Sequence, residues 1–192
     1  MIIIKHRVNT VKELKETHER FGVEVDIRTW GKDLILHHEP FEKGELLEDF
    51  LSNYNHKFII LESKVERIEP TIIELAEKYG IKDYFLLSVN PPFMWNLMNK
   101  GFKKMNVRFS ELESVETCKL WAGKAEWVWV DTWTKLPLDK KSYSELKKHF
   151  KICLVSPEIL NRPDEIKTYR KFFQDNKMDI DAVCTDDCKA WE

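Results

Sequence analysis

Residues 22–41 read GVEVDIRTWGKDLILHHEPF, and the pattern in this stretch recurs along the rest of the chain. After a glycine, apolar and polar side chains alternate, which predicts a strand with one apolar and one polar face. Glu24 and Asp26 fall together on the polar face. A second apolar run follows shortly afterwards and ends in the adjacent histidines His37 and His38. The stretch therefore predicts two short strands joined by a turn, with carboxylates and imidazoles on the same part of the chain.

Short runs rich in valine, isoleucine and phenylalanine alternate with longer amphipathic segments, which indicates strands separated by single helices in an α/β fold. The apolar runs lie at residues 1–7, 22–28, 34–38, 58–64, 83–89, 105–111, 126–133, 151–156 and 180–186. If the run at 34–38 belongs to a small hairpin inserted after the second strand, eight strands remain, as in a closed (β/α)8 TIM barrel. Because such barrels usually need ~200 residues or more, we predict a compact barrel with trimmed loops and a single domain over residues 1–192. An open doubly wound sheet is the alternative.

The bulk composition excludes several classes of protein. A net charge of −2 gives no reason to expect nucleic acid as a partner. No apolar run approaches the ~20 residues that a membrane-spanning helix needs, and the first run is too short for a signal peptide. The four cysteines are scattered, as is typical of free thiols in a reducing compartment. We therefore predict a cytoplasmic protein without a membrane span.

Polar side chains lie at the carboxyl ends of three successive predicted strands. A barrel brings the carboxyl ends of its strands together at one mouth. These side chains are His6, Arg7, Glu24, Asp26, Glu62 and Lys64. Three converging carboxylates repel one another unless a cation joins them, and oxygen ligands favour Mg²⁺ or Ca²⁺. The neighbouring arginine and lysine suit an anion such as phosphate. His6 and a second histidine could transfer protons near neutral pH.

Each of these groups also has a simpler interpretation when taken singly. A Glu-x-Asp pair on a strand is often a solvated edge, and Glu62 and Lys64 could form an exposed ion pair of little energetic value. A hydrolase that uses His37 and His38 on a transition metal such as zinc is a further alternative. The joint pattern on three successive strands favours one shared site.

This ordered set of residues resembles the glycerophosphodiester phosphodiesterase family of the PLC-like phosphodiesterase superfamily, whose members are (β/α)8 barrels. The matching motifs are His6-Arg7 after the first strand, Glu24-Val25-Asp26 on the second, His38-Glu39-Pro40 in the inserted hairpin, Glu62-Ser63-Lys64 on the third strand and Thr185-Asp186 on the last. They span nearly the whole chain in the order that the family has.

The resemblance implies a metal-dependent phosphodiester hydrolase that acts on a small-molecule substrate. In the implied mechanism a hydroxyl next to the phosphate attacks phosphorus, and water then opens a cyclic phosphate. The implied roles are His6 and His38 as general acid and base, Glu24, Asp26 and Glu62 as ligands of Mg²⁺ or Ca²⁺, and Arg7 and Lys64 as phosphate-binding groups. His38 precedes the acid-proline pair as the family pattern requires, and we interpret His37 as structural.

The chain departs from the family pattern at the mouth. The family has a glycine after His-Arg and then Pro-Glu-Asn-Thr, and here only Val8-Asn9-Thr10 stands in that place. The family's acid after the second histidine is an aspartate, and here it is Glu39. A shortened mouth suggests a bulky substrate, such as a lipid head group or a glycan-linked phosphodiester. The alternative is a catalytically inactive barrel that binds a phosphorylated ligand or glycan.

Polar and aromatic residues at the ends of the later strands are candidate substrate contacts. These residues are Glu111, Asp131, Trp133 and Glu158. Aromatic rings stack on sugar rings, which makes Trp133 a candidate contact for a glycan.

Overall fold

The computed structural model describes residues 1–192 and contains ten strands and seven α-helices. The strands are β1 (Ile2–Lys5), β2 (Gly22–Trp30), β3 (Asp33–Leu36), β4 (Glu45–Leu46), β5 (Ile59–Ser63), β6 (Tyr84–Leu87), β7 (Asn106–Phe109), β8 (Trp127–Val130), β9 (Lys151–Val155) and β10 (Ala182–Thr185). The helices are α1 (Val11–Glu16), α2 (Leu47–Ser52), α3 (Glu69–Lys78), α4 (Pro91–Asn99), α5 (Val115–Lys119), α6 (Lys140–Lys147) and α7 (Ile166–Asp175). Each of the nine predicted apolar runs contains a strand, and the predicted α/β class is confirmed.

The chain divides into two compact units, one formed by Met1–Ile4 with Gly101–Glu192 and the other by Lys5–Lys100. In the second unit β2 pairs in parallel with β5, and β5 pairs in parallel with β6. On its other edge β2 pairs with β3 in antiparallel fashion, and β3 pairs likewise with β4. In the first unit β7, β8, β9 and β10 form a parallel series, with β1 next to β10.

Strands β5 and β6 of the Lys5–Lys100 unit are buried on both faces. Ile59, Ile60 and Leu61 of β5 are fully buried, as are Phe85 and Leu86 of β6. Parallel strands covered on both sides read as continuous apolar runs, which is why these segments were recognisable in the sequence. The burial of β2 likewise extends over both faces, so the interpretation of its carboxylates as a solvated edge is wrong.

Local capping fixes where the first helix begins. Thr10 is the N-cap of α1, and its side chain accepts a hydrogen bond from the backbone N–H of Glu13. The Glu13 carboxylate in turn accepts from the backbone N–H of Thr10, which completes a capping box. Because the threonine takes the cap, the side chain of Asn9 is left to bond elsewhere, and it does so in the site described below.

No helix has both the length and the apolar character needed to cross a bilayer. All four cysteines are free, and three of them, Cys118, Cys153 and Cys184, are buried. This agrees with the prediction of free thiols.

Candidate metal centre and histidine pair

Three carboxylates converge on the paired strands β2 and β5. Glu24, Asp26 and Glu62 each offer an oxygen, and these oxygens lie within 4.8 Å of one another. The parallel register sets Asp26 directly opposite Glu62, and Glu24 lies two residues earlier on the same face of β2. Glu24 and Asp26 are each only 1% exposed. The predicted convergence of these carboxylates is therefore confirmed.

Lys64 supplies a positive charge to the cluster. Its Nζ lies 2.7 Å from Glu62 Oε2 and 3.0 Å from Asp26 Oδ1. Burial opposes the charge on Lys64, but the two carboxylates outweigh it and raise the pKa of the lysine. One ammonium group against three carboxyl groups leaves the cluster short of positive charge.

The pKa values of the two buried carboxyls respond differently to this shortage. Burial, reinforced by the charges of Asp26 and Glu62, raises the pKa of Glu24 well above its usual range. Burial also acts to raise the pKa of Asp26, but a hydrogen bond from Asn9 and the charge of Lys64 outweigh it, so that pKa is lowered. The repulsion between the carboxylates therefore shows mainly as the raised pKa of Glu24.

The unsatisfied oxygen of Glu24 tests whether a divalent ion fits. Glu24 Oε2 accepts a hydrogen bond from the backbone N–H of Arg7 at 2.8 Å, whereas Oε1 is buried and has no hydrogen-bond partner. Leaving a buried carboxylate oxygen without a partner is costly. An all-oxygen donor set with one such oxygen fits a hard divalent ion such as Mg²⁺ or Ca²⁺.

Two residues that sequence reasoning missed hold the carboxylates in place. Asn9 and Asp26 bond reciprocally: Asn9 Nδ2 donates to Asp26 Oδ2 at 2.8 Å, and the backbone N–H of Asp26 donates to Asn9 Oδ1 at 2.8 Å. Ser88 Oγ donates to Glu62 Oε1 at 2.7 Å. A signal for Ser88 existed, since it is a polar residue directly after the apolar strand β6. Asn9 gave no comparable signal, because it does not directly follow one of the predicted strands.

The two candidate catalytic histidines lie in different surroundings. His6 Nε2 is 4.0 Å from Glu24 Oε2, and its side chain is 15% exposed. His38 Nε2 lies 2.6 Å from Arg7 Nη2, and His38 Nδ1 lies 2.5 Å from Glu39 Oε1. Since Arg7 also bonds Glu24 through its backbone, it connects the carboxylate cluster to His38.

The backbone at His38 is clamped by an arginine that the sequence analysis did not single out. Arg28 donates from Nε and Nη2 to the carbonyl oxygen of His38, at 2.9 and 2.8 Å. Such a two-pronged contact fixes the position and the orientation of the peptide group. Arg28 is therefore a positioning residue for the imidazole.

His37 makes local contacts. Its Nδ1 accepts a hydrogen bond from the backbone N–H of Glu39 at 3.1 Å, and its own backbone N–H donates to Asp26 O at 3.0 Å. The one cluster of potential metal ligands in the structure is the carboxylate group, and it contains neither His37 nor His38. A zinc site on the two histidines has no support in this geometry.

The candidate substrate contacts from the later strands all lie in the unit that contains Gly101–Glu192. Glu111 Oε1 accepts from the backbone N–H and the hydroxyl of Thr134 and from the backbone N–H of Lys135. Glu158 accepts from Thr185 Oγ1 and the backbone N–H of Asp186. These carboxylates form hydrogen bonds with neighbouring loops. A role of Glu111 and Glu158 in substrate binding remains a prediction.

Asp131 and Trp133 differ in how far their side chains are exposed to solvent. Asp131 is buried, with Arg108 Nη1 at 2.5 Å from Oδ2 and Trp129 Nε1 donating to Oδ1 at 2.9 Å. Burial raises the pKa of Asp131 in spite of Arg108. Trp133 is 45% exposed. Its predicted stacking on a sugar ring also remains a prediction.

Several solved structures share the fold of this chain, two phosphodiesterases among them. A glycerophosphodiester phosphodiesterase from Agrobacterium tumefaciens has a TM-score of 0.74 and 14% sequence identity, and the match covers 100% of this chain and 99% of that one. A glycerophosphoryl diester phosphodiesterase from Parabacteroides distasonis has a TM-score of 0.67 and 12% identity, with 96% and 82% of the two chains covered. No protein-family model matches the chain, and no curated protein matches it in sequence. The resemblance seen in the sequence is thus confirmed at the level of the fold.

Proposed function

We propose that this chain is a phosphoric diester hydrolase that resembles the glycerophosphodiester phosphodiesterases and depends on Mg²⁺ or Ca²⁺. The observation that carries the proposal is the cluster of Glu24, Asp26 and Glu62, in which Glu24 has an unpaired oxygen and lies 4.0 Å from the imidazole of His6. The likeness in fold to two phosphodiesterases supports it. The proposed substrate is a small-molecule phosphodiester: a glycerophosphodiester, a lipid head group or a glycan-linked diester.

We also propose three features of the fold: a single domain over residues 1–192, a closed (β/α)8 barrel and an inserted hairpin after β2. Coverage of nearly the full length of the Agrobacterium tumefaciens protein supports the first two features. The antiparallel pairing of β2 with β3 and of β3 with β4 supports the third. A cytoplasmic location remains a prediction of the sequence.

In the proposed reaction, the residues around the carboxylate cluster bind the phosphoryl group and move protons. A divalent ion held by Glu24, Asp26 and Glu62 would neutralise charge on the phosphoryl oxygens. Arg7, whose guanidinium lies against His38, turns to the phosphoryl oxygens when substrate binds, and this exposes the basic nitrogen of His38. Lys64, held by two carboxylates, adds positive charge beside them.

His38 and His6 then divide the proton transfers between them. His38 Nε2 takes the proton of the attacking hydroxyl, whose oxygen forms a new bond to phosphorus. The bond from phosphorus to the leaving alcohol breaks, and His6 gives that alkoxide a proton. The resulting cyclic phosphate is opened by water with the proton roles reversed.

The test of this function is hydrolysis by the purified chain of bis(4-nitrophenyl) phosphate and of glycerophosphodiesters, with Mg²⁺ or Ca²⁺ present. We expect His6→Ala and His38→Ala to abolish turnover of the glycerophosphodiesters while circular dichroism stays unchanged. His18→Ala, which removes an exposed histidine of the same unit, is the matched control and should retain activity. Full activity in His6→Ala would remove His6 from the mechanism.

A second candidate function is favoured by the contact between Arg7 and His38, which occupies both groups with each other. Together with the shortened segment Val8-Asn9-Thr10, it suits a catalytically inactive barrel that binds a phosphorylated ligand or glycan. Calorimetric binding of a phosphodiester without turnover under any divalent ion would favour this function. Measured turnover that depends on His6 and His38 would exclude it.

A further inference from the structure

A polar cavity of about 270 Å³ adjoins the carboxylate cluster beside β5 and the start of α3. Its wall is formed chiefly by Glu62, Lys64, Glu66, Glu69, Ser88 and Asn90. No aromatic side chain lines it. Because Glu62 belongs to both the cavity and the carboxylate cluster, a group attached to a phosphate at the cluster can extend into the cavity.

The charges around this cavity are unbalanced. Lys64 is its one cationic residue, and its ammonium group is already held between Glu62 and Asp26. Glu66 accepts a hydrogen bond from Asn90 Nδ2 at 2.7 Å but has no ion-pair partner. Glu69 has no ion-pair partner either. The cavity is therefore rich in acceptors and short of positive charge.

Glu69 gives independent evidence that a donor is missing. Its side chain is 2% exposed, and Oε2 is buried without a hydrogen-bond partner. Buried polar atoms in folded proteins nearly always have a partner, because an unpaired one costs free energy. A ligand that brings hydrogen-bond donors into the cavity would remove this cost.

We propose that the cavity binds the alcohol part of the substrate and selects an alcohol that ends in a primary ammonium group, as in an aminoethyl phosphodiester. This inference rests on the proposed hydrolase function. A primary ammonium group carries three donors and a full charge, which matches the surplus of acceptors. The cavity is smaller than the ~300–1,000 Å³ of typical drug-sized sites, which suits a short alcohol.

The lining also discriminates against other alcohols. Quaternary ammonium groups are recognised chiefly by the faces of aromatic rings, and this cavity has none. An alcohol with a carboxylate would be repelled by Glu66 and Glu69. A neutral polyol offers donors but no charge to balance the carboxylates.

Steady-state kinetics on matched diesters tests the inference. Glycerophosphoethanolamine, glycerophosphocholine and glycerophosphoglycerol share one half and differ only in the other alcohol. We expect kcat/KM to be ~10-fold higher for the ethanolamine diester, the size of effect that the net contribution of one additional hydrogen bond gives. For the ethanolamine diester, Glu69→Gln should lower kcat/KM ~10-fold and Glu66→Gln should lower it ~3-fold. The kcat/KM values for the other two diesters should change little. Glu74→Gln, an exposed change on α3, is the control and should alter none of the three.

The outcomes separate the cavity from the hydrolase function. Equal kcat/KM for the three diesters, or a preference for the glycerol diester, would overturn the ammonium assignment while the hydrolase stands. If no diester is hydrolysed, the proposed hydrolase fails, and calorimetry on the same three compounds then tests the cavity alone: tighter binding of the ethanolamine diester supports the ammonium assignment, and equal affinities overturn it. Glu69 also lies in the first turn of α3, where a carboxylate stabilises the helix dipole. Should Glu69→Gln unfold, Glu66→Gln decides the question.

Discussion

Arg7 donates a hydrogen bond from Nη2 to Nε2 of His38 across 2.6 Å. A guanidinium group has donors but no acceptor, so Nε2 must be the unprotonated nitrogen of the ring. The ring proton then sits on Nδ1, which donates to Glu39 Oε1 at 2.5 Å. That hydrogen bond lowers the pKa of Glu39. The three side chains thus fix the tautomer in which Nε2 can act as a base.

Glu39→Gln tests whether the carboxylate sets this tautomer. A glutamine amide can present either its oxygen or its NH₂ group to Nδ1, and it carries no charge to stabilise a protonated ring. We expect kcat to fall by ~10-fold with KM little changed, as is typical when an outer partner of a functional histidine is removed. Glu42→Gln, at a nearby exposed position, should leave both constants unaltered. Equal kcat in Glu39→Gln and the wild type would show that Glu39 does not set the tautomer used in catalysis.

Asn9→Ala tests the support of the carboxylate cluster. Loss of the reciprocal hydrogen bonds leaves Lys64 as the remaining partner of the Asp26 side chain and leaves a buried backbone N–H without a partner. We expect the affinity for Ca²⁺, measured by isothermal titration calorimetry, to weaken by ~10–100-fold. Asn55→Ala removes an asparagine that bonds only at the surface, to Glu19, and serves as the matched control. Unchanged Ca²⁺ affinity in Asn9→Ala would mean that Asp26 does not bind the ion through this arrangement.

The carboxylate cluster could be predicted from the sequence because two regular rules locate it. Alternation along β2 puts Glu24 and Asp26 on one face, and parallel pairing with β5 brings in Glu62 at the matching position. These rules need only the local sequence of each strand and the register between β2 and β5. The α/β class could also be predicted, because buried parallel strands appear in the sequence as apolar runs.

The parts that escaped prediction depend on how loops run in space. Arg28 clamps the His38 carbonyl across a turn whose path no local pattern specifies. The strand β4 was missed because Glu45 and Leu46 begin a segment with helix-like spacing. Glu45 pairs with Leu36 of β3 and also accepts a hydrogen bond from the backbone N–H of Val11 at 2.7 Å. Such contacts between distant segments leave no trace in periodicity.

Asp139 gives a prediction for the dependence of stability on pH. Its carboxylate caps α6 by accepting from the backbone N–H of Ser142 at 2.7 Å, and this bond lowers its pKa below the usual 3.8. A lowered folded-state pKa means that the stabilisation is complete above pH 3.8 and is lost as the pH falls through the folded-state pKa. We expect Asp139→Ala to reduce the free energy of unfolding in urea by about 1 kcal/mol at neutral pH.

Asp139→Asn is the matched comparison, because an asparagine caps a helix nearly as well and does not titrate. In urea at low pH, the wild type should approach Asp139→Ala, whereas Asp139→Asn should keep its advantage. A stability difference between wild type and Asp139→Ala that does not shrink in acid would contradict the assigned cap.

Glu24→Gln should act in opposite directions on the metal-free and the metal-loaded protein. Burial and the charges of Asp26 and Glu62 raise the pKa of Glu24, so its ionisation costs stability at neutral pH. The substitution should therefore raise Tm in EDTA, by about 2–4 °C per kcal/mol of relieved repulsion. It should also abolish the rise in Tm that Ca²⁺ gives the wild type, because an ion that binds only the folded state stabilises it. Calorimetric scans measure both effects, with Glu74→Gln as the control. A lower Tm in EDTA together with an intact response to Ca²⁺ would exclude Glu24 as a ligand.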